Sequence, residues 1–345
     1  MSKQAPSQLV SEVPLEVQFL QMLSGYWVSQ SLYVAARLGI ADLLANGSRA
    51  VEDLAQASNS HTENLYRLLR ALAGVGVFVE EENRKFGLTP LAQFLQTGVN
   101  TQRAMAIHIG ETPSWNAWGD LLHTIQTGET AFAHVNGQEV FPYYAEHPES
   151  QEPFNQAMTN YSEVVKAAVL QAYDFSGFKK IVDVGGGHGS MLTAILEKHT
   201  EMQGVVFDLP PVVEGAKKRI EEAHLTNRCE AIGGDFFEAV PAGGDVYTLK
   251  TIIHDWDEQR AIKILKNLHR AMKDDGKLLL IETVIPEGNE PSFSKLCDIH
   301  MMVMTGGRER SESEYAKLFA KAGFKLTRVV SGEFLISIIE AEKVK

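Results

Sequence analysis

Cysteine is nearly missing from this chain: Cys229 and Cys297 are the two in 345 residues, far apart and without metal-ligand spacing. That excludes a disulfide framework and a cysteine-based zinc site, and it points to a reducing, cytoplasmic setting. No apolar run approaches the roughly 18 residues that a membrane span requires. Residues 1–11 are polar and lack the charged-then-apolar order of a secretion signal, so they read as a loose tail. A basic excess is missing too. Against 44 Asp and Glu stand 32 Lys and Arg, a net charge of −12, which argues against nucleic acid or an anionic membrane as a general partner. The remaining composition, 44% apolar and 22% charged, is ordinary for a globular protein, and the length suits about two domains.

Glycine, by contrast, is concentrated. Ile181-Val182-Asp183-Val184-Gly185-Gly186-Gly187-His188-Gly189-Ser190 is a short apolar run that breaks into four glycines in five residues. Met191-Leu192-Thr193-Ala194-Ile195-Leu196 then resumes at helical spacing. This predicts a buried strand, a tight turn with amides free to face a ligand, and a helix. Glycine suits such a turn because it accepts positive φ and lets a ligand lie against the main chain. The pattern is D-x-G-x-G-x-G; Ser190 stands where the dinucleotide fingerprint has its last glycine. A nucleoside without a pyrophosphate is therefore favoured.

From residue 13 to about 170 the spacing is mostly helical. Leu20, Leu23, Trp27, Leu32, Val34, Ala35 and Leu38 give a nearly continuous apolar surface, as on a helix packed against two neighbours, one of them a second subunit. Over 51–94, Ser48 is placed to cap one helix and Ser60 or Thr62 a second, which Gly74 and Gly76 end. Val77-Phe78-Val79 and Lys85-Phe86-Gly87-Leu88 read as a hairpin around Glu82-Asn83. Helix, helix, hairpin is a winged-helix arrangement, used to read DNA or simply to dimerise. Up to Gly110 there are eight Lys and Arg against nine Asp and Glu, so the structural role is favoured. The stretch 104–161 carries Trp115, Trp118, Phe132, Phe141, Tyr143, Tyr144, Phe154 and Tyr161. These serve as core or as the wall of a site for a flat molecule.

Beyond Lys179 strands and helices alternate. Strands are expected at 181–184, 205–207, 229–232, 246–249 and 278–281, with helices at 191–198, 212–223 and 258–272. This is the signature of a doubly wound α/β sheet that binds ligands beyond the carboxyl ends of its strands. A helix at 312–322 and strands at 325–330 and 334–340 would close the chain with an antiparallel hairpin. Each strand ends in suggestive residues. Asp208 can accept from ribose hydroxyls or cap the helix that Pro210-Pro211 opens. In Gly233-Gly234-Asp235-Phe236-Phe237, Asp235 can accept an adenine amino group and Phe236 cover the ring, or the segment is a plain turn into the core. His254, beside Asp255, follows the fourth strand. Glu282 ends the fifth, where a carboxylate is costly unless it faces a cleft or pairs. Glu309 sits in the glycine loop Gly306-Gly307-Arg308-Glu309-Arg310.

At these residues the sequence resembles the small-molecule O-methyltransferases that use S-adenosylmethionine, the caffeate and acetylserotonin O-methyltransferase-like group, with a texture nearest to bacterial antibiotic-tailoring enzymes. The ordered set 183–189, Phe207-Asp208-Leu209-Pro210, Gly234-Asp235-Phe236-Phe237, Ile253-His254-Asp255-Trp256 and 306–310 carries the likeness, which runs from about residue 20 to 340. The resemblance implies a methyltransferase sheet with a C-terminal antiparallel hairpin behind a helical, winged-helix-like dimerisation domain. It implies domains at 1–110, 111–175 (a connector lining the substrate pocket) and 176–345. It also implies S-adenosylmethionine as cofactor, no metal, a homodimer and a hydroxylated aromatic substrate. Cofactor contacts would come from Gly185, Asp208, Gly234, Asp235, Phe236 and Lys250, with Met158 and Ser162 from a covering helix. His254 would be the general base, oriented by Glu282 and Glu309. Where plant members place an Asn, Met304-Thr305 stand here, so no phenylpropanoid is implied. The alternatives are N-methyl transfer or other chemistry with the same cofactor, and more remotely a metabolite-sensing winged-helix regulator.

Overall fold

The computed structural model describes residues 13–98, 101–332 and 336–344; the expected tail at 1–11 lies outside them. The chain divides into two compact units, one ending at Glu111 and the other beginning at Thr112.

In the first unit, helices Leu15–Leu23 and Gly25–Arg37 meet at Ser24. The former buries nothing in the single chain, and Phe19 and Trp27 stand 62% and 63% exposed. An apolar surface that open marks a protein-interaction face. Behind it, helices Val51–Ala57 and Thr62–Gly74 pack against strands β1 (Arg49–Ala50), β2 (Phe78–Glu81) and β3 (Lys85–Leu88). These form an antiparallel sheet in the order β1-β3-β2. The core is Ile40, Leu44, Leu54, Leu69, Phe78 and Phe86. Helix, helix and hairpin thus appear where expected, but both caps differ. Ala50, not Ser48, precedes the first helix, because the Ser48 hydroxyl donates to Glu81 Oε1 at 2.6 Å. The second begins after His61, whose Nδ1 accepts from the Asn64 amide.

The second unit is built on a seven-stranded sheet, ordered β6-β5-β4-β7-β8-β10-β9. Its strands are β4 (Lys180–Val184), β5 (Gln203–Asp208), β6 (Cys229–Gly233), β7 (Val246–Lys250), β8 (Lys277–Thr283), β9 (Phe324–Ser331) and β10 (Ile336–Lys343). The first five run parallel; β10 inserts antiparallel between β8 and β9. Residues 333–335 lie outside the description, so the expected strand start at Phe334 falls there. The parallel strands read as unbroken apolar runs because both faces are covered. Side chains alternate across β4: Val182 and Val184 enter one core cluster, with Leu265 and Phe319, and Ile181 enters the other, with Ile195 and Val206. Each such side chain contributes roughly 1.5–3 kcal/mol by leaving water.

Most of the aromatic stretch is core. Four short helices between Thr112 and Glu146 pack with helix Ser294–Met304 around Phe132 and Tyr144, both fully interior. The long helix Pro148–Ala172 leads into β4. The order of strand addition reverses between β4 and β7 while all five strands stay parallel, so the carboxyl ends of β4 to β8 share one edge beside this switch point, where doubly wound sheets bind ligands.

Candidate functional site

The glycine elbow follows β4 directly. Gly185 takes φ +68°, and a Cβ there would come 2.4 Å from Ile252 Cδ1; no other residue fits. Its amides are less free than the sequence implied. Gly185 and Gly186 donate to the Phe207 carbonyl at 2.8 and 3.3 Å, and Gly187 donates to Asp208 Oδ2 at 2.8 Å. The neighbouring parallel strand takes up these donors, as buried amides require. Asp208 does not cap the following helix, which starts after Leu209 without a side-chain cap. Its other oxygen accepts from the Leu209 amide. Burial raises the Asp208 carboxyl above its usual range despite these bonds.

Around the edge, Gly234 packs against Phe207, and Asp235 is exposed with Oδ1 accepting from the Phe237 amide at 2.8 Å. Phe236 lies edge-on to Phe237 and Trp256. At the end of β7, burial pushes the Lys250 ammonium down, against the charges of Asp183, Glu282 and Asp255. Met158 and Ser162 are half-buried on helix Pro148–Ala172, where the Ser162 hydroxyl donates to the Met158 carbonyl. Glu163 on the same helix accepts from the Ser190 hydroxyl, tying the helix to the elbow.

The structure brings His254, Glu282 and Glu309 together. His254 Nδ1 lies 2.9 Å from Glu309 Oε1, a hydrogen bond, and 3.6 Å from Glu282 Oε2, which is too far for one. Glu282 is fully buried; its Oε1 accepts from the Ile252 and Ile253 amides at 3.1 and 2.9 Å. Among the described residues, Glu282 Oε2 and Glu309 Oε2 are buried without a hydrogen-bond partner. Asp255, not assigned a role from the sequence, places Oδ1 3.6 Å from His254 Nε2. Burial disfavours the imidazolium, but the charges of Glu282 and Asp255 and the Glu309 hydrogen bond outweigh it, and the imidazole is pushed up to about 10. Desolvation in turn raises the Glu282 and Asp255 carboxyls.

Three further residues build this cluster, and nothing local in the sequence signals them. Asp298 Oδ1 accepts from the Glu309 amide at 2.9 Å. The buried Arg310 guanidinium donates to the Ile253, Arg308 and Trp256 carbonyls, pinning loop to turn. Thr251, β-branched yet at φ +52°, marks backbone strain where β7 turns toward His254. A separate group, Asp120, His123 and His134, gathers ligand atoms within 4.8 Å. Its imidazoles stack at 3.7 Å and 6°, so their in-plane lone pairs run parallel instead of converging on an ion.

A doubly wound sheet whose carboxyl edge gathers a glycine elbow and a buried histidine–carboxylate cluster has the layout of a group-transfer enzyme. Comparison with known proteins is specific: the O-methyltransferase domain matches residues 118–325 and the O-methyltransferase dimerisation domain residues 20–98. The chain belongs to this O-methyltransferase family and is a methyltransferase dependent on S-adenosylmethionine. Among its relatives, phenazine O-methyltransferase PhzM of Lysobacter antibioticus is 49% identical over 96% of this chain and 97% of its own. Mitomycin biosynthesis 6-O-methyltransferase of Streptomyces lavendulae is 39% identical over 89% and 88%. The crystal structure of the O-methyltransferase NcsB1 from neocarzinostatin biosynthesis, in complex with S-adenosylmethionine and 2-hydroxy-5-methyl naphthoic acid, superposes with a TM-score of 0.82 at 29% identity, covering 97% of this chain and 100% of the other.

The residues present fit that cofactor. Space is open above Gly187, where a Cβ would meet nothing within 4 Å. Asp208 offers an anionic acceptor for a ribose diol, and the unpartnered oxygens of Glu282 and Glu309 suit a cationic sulfonium. No helix among the described residues is long and apolar enough to cross a membrane.

Proposed function

We propose that this chain methylates a hydroxyl group of a small aromatic metabolite, with His254 as general base. The supporting observation is the Glu309–His254 pair, buried among carboxylates at the cofactor edge. When bound, S-adenosylmethionine supplies a methyl already activated by its sulfonium. The protein's own task is alignment and removal of a proton. A phenol near pKa 10 is only about a thousandth ionised at pH 7, and a positioned imidazole recovers roughly 100- to 10,000-fold. Glu309 fixes the proton on Nδ1, leaving Nε2 as the accepting nitrogen. Glu282 acts through charge alone, stabilising the imidazolium that forms.

The same charges hold the free imidazole protonated near neutrality, which would disable it. A positive charge brought into the enclosure lowers its pKa again, so cofactor occupancy frees the base. Asp208 serves the ribose, Asp235 and Phe236 the adenine, and Gly185 and Gly234 close backbone approach. Lys250, Met158 and Ser162 are further contacts. Residues 1–110 dimerise, 111–175 wall the acceptor pocket and 176–345 carry the chemistry, in a cytoplasmic homodimer.

The test combines labelled S-adenosylmethionine with a panel of phenols, quinols, hydroxylated heterocycles and amines. Label goes to oxygen, and His254→Ala loses about 100-fold or more in turnover with cofactor affinity little changed. Near-normal turnover in that variant removes the base assignment; transfer only to nitrogen removes the hydroxyl assignment.

A further inference from the structure

His300 lies on helix Ser294–Met304, which also carries Asp298, the residue holding the Glu309 amide. Trp118 Nε1 sits 3.1 Å from His300 Nδ1, with the rings inclined by 19°. An indole nitrogen can only donate, so Nδ1 must accept. The ring of a neutral His300 therefore carries its proton on Nε2. Burial, reinforced by the charge of His254, pushes this imidazole down to about 4, so it stays neutral at any working pH. In the free enzyme His254 is charged beside its carboxylates, whereas His300 offers a fixed, uncharged N–H donor. No protein atom among the described residues receives that donor, and the ring is half-buried.

We propose that His300 is a specificity-determining residue whose Nε2–H binds a neutral hydrogen-bond acceptor, a ring nitrogen or carbonyl, on the methyl-accepting aromatic molecule. Trp118 is its positioning residue. The acceptor is neutral because the ring that meets it is neutral, so the pair forms without leaving an unpaired charge buried. A site built to donate a hydrogen bond rejects an analogue that lacks the acceptor, since the donor is then left buried and unpaired.

The inference rests on the hydroxyl-methylating reading, and its test keeps the two apart. Hydroxyquinoline isomers and the matching naphthols, which differ by one ring nitrogen, are titrated into the full-length protein saturated with S-adenosylhomocysteine. The same compounds are assayed for turnover with S-adenosylmethionine. Wild type favours at least one hydroxyquinoline over its naphthol by about tenfold or more in Kd and kcat/KM. His300→Phe abolishes that preference while naphthol binding changes less than about threefold. His300→Gln, whose amide nitrogen stands near the Nε2 position, restores part of it, and Trp118→Phe weakens it. Equal loss for both members of a pair, or no preference in wild type, overturns the proposal. Binding preference without methyl transfer to any hydroxyl supports His300 and defeats the proposed reaction; transfer without preference does the reverse.

Discussion

Replacing Glu309 by Gln separates charge from geometry at His254. Glutamine keeps an oxygen where Oε1 lies 2.9 Å from Nδ1, but it removes the negative charge. Hydrogen bonds to charged groups are worth about 1.5–3 kcal/mol, neutral ones about 0.5–1.5. The difference is about 1–1.5 kcal/mol, close to one pKa unit. The sign follows from the cluster. Burial lowers the His254 pKa, the three carboxylates together raise it by more, and it rests at about 10. A general base works only when deprotonated, so kcat/KM for the acceptor, which reports the cofactor-loaded enzyme, climbs with pH toward the lower pKa that the bound sulfonium leaves and drops tenfold per unit beneath it. Glu309→Gln therefore moves this acid limb down by about one unit. The variant also stabilises the imidazolium less, which lowers the plateau at high pH. The assay is kcat/KM from pH 5 to 10 on one acceptor for both proteins, so ionisation of the acceptor is common to the two profiles. A uniform loss with the limb unmoved refutes the reasoning.

Asp208→Ala removes the acceptor of the Gly187 amide as well as the ribose partner, and affinity for S-adenosylmethionine falls at least about tenfold; calorimetry showing no change defeats the assignment. Gly185→Ala forces a side chain to φ +68° and into Ile252. Together these cost roughly 2–4 kcal/mol, so thermal melting drops by roughly 5–10 °C, and an unchanged melting curve counts against a rigid elbow. Binding of cationic S-adenosylmethionine releases protons from the His254–Glu282–Asp255 cluster, while neutral S-adenosylhomocysteine does not. Calorimetry in two buffers of different ionisation enthalpy reads this directly, and equal release for both ligands contradicts it.

Sequence was most informative where one physical requirement dominates. Buried parallel strands demand apolar runs, so β4 to β8 were legible, and with them the edge at which Asp208, His254 and Glu282 collect. The wing of the first unit was legible from its hairpin spacing. Local hydrogen bonding was not. Ser48 has the chemistry of a cap, yet tertiary contact with Glu81 claims it, and His61, an unusual cap, takes that role for the next helix. Asp298 and Arg310 act across loops that only the fold brings together. The open amides of the elbow were misjudged for a similar reason: the donors belong to a turn, but β5 offers them a carbonyl.

Beside the Asp298 and Arg310 side chains, main-chain atoms fasten the strap bearing Glu309. Arg308 N–H donates to the His254 carbonyl, Ile285 N–H to the Arg310 carbonyl, and Gly307 lies so near His254 that no side chain could be added. Such stitching is indifferent to most side-chain changes. On helix Ser294–Met304, residues that neither hold Glu309, as Asp298 does, nor fill the core, as Val303 and Met304 do, can therefore be exchanged without unseating the proton-transfer pair. Selection has a reshapeable wall beside an engine that stays put, and libraries confined to those positions should alter which molecules are accepted while leaving the pH response of turnover where it was.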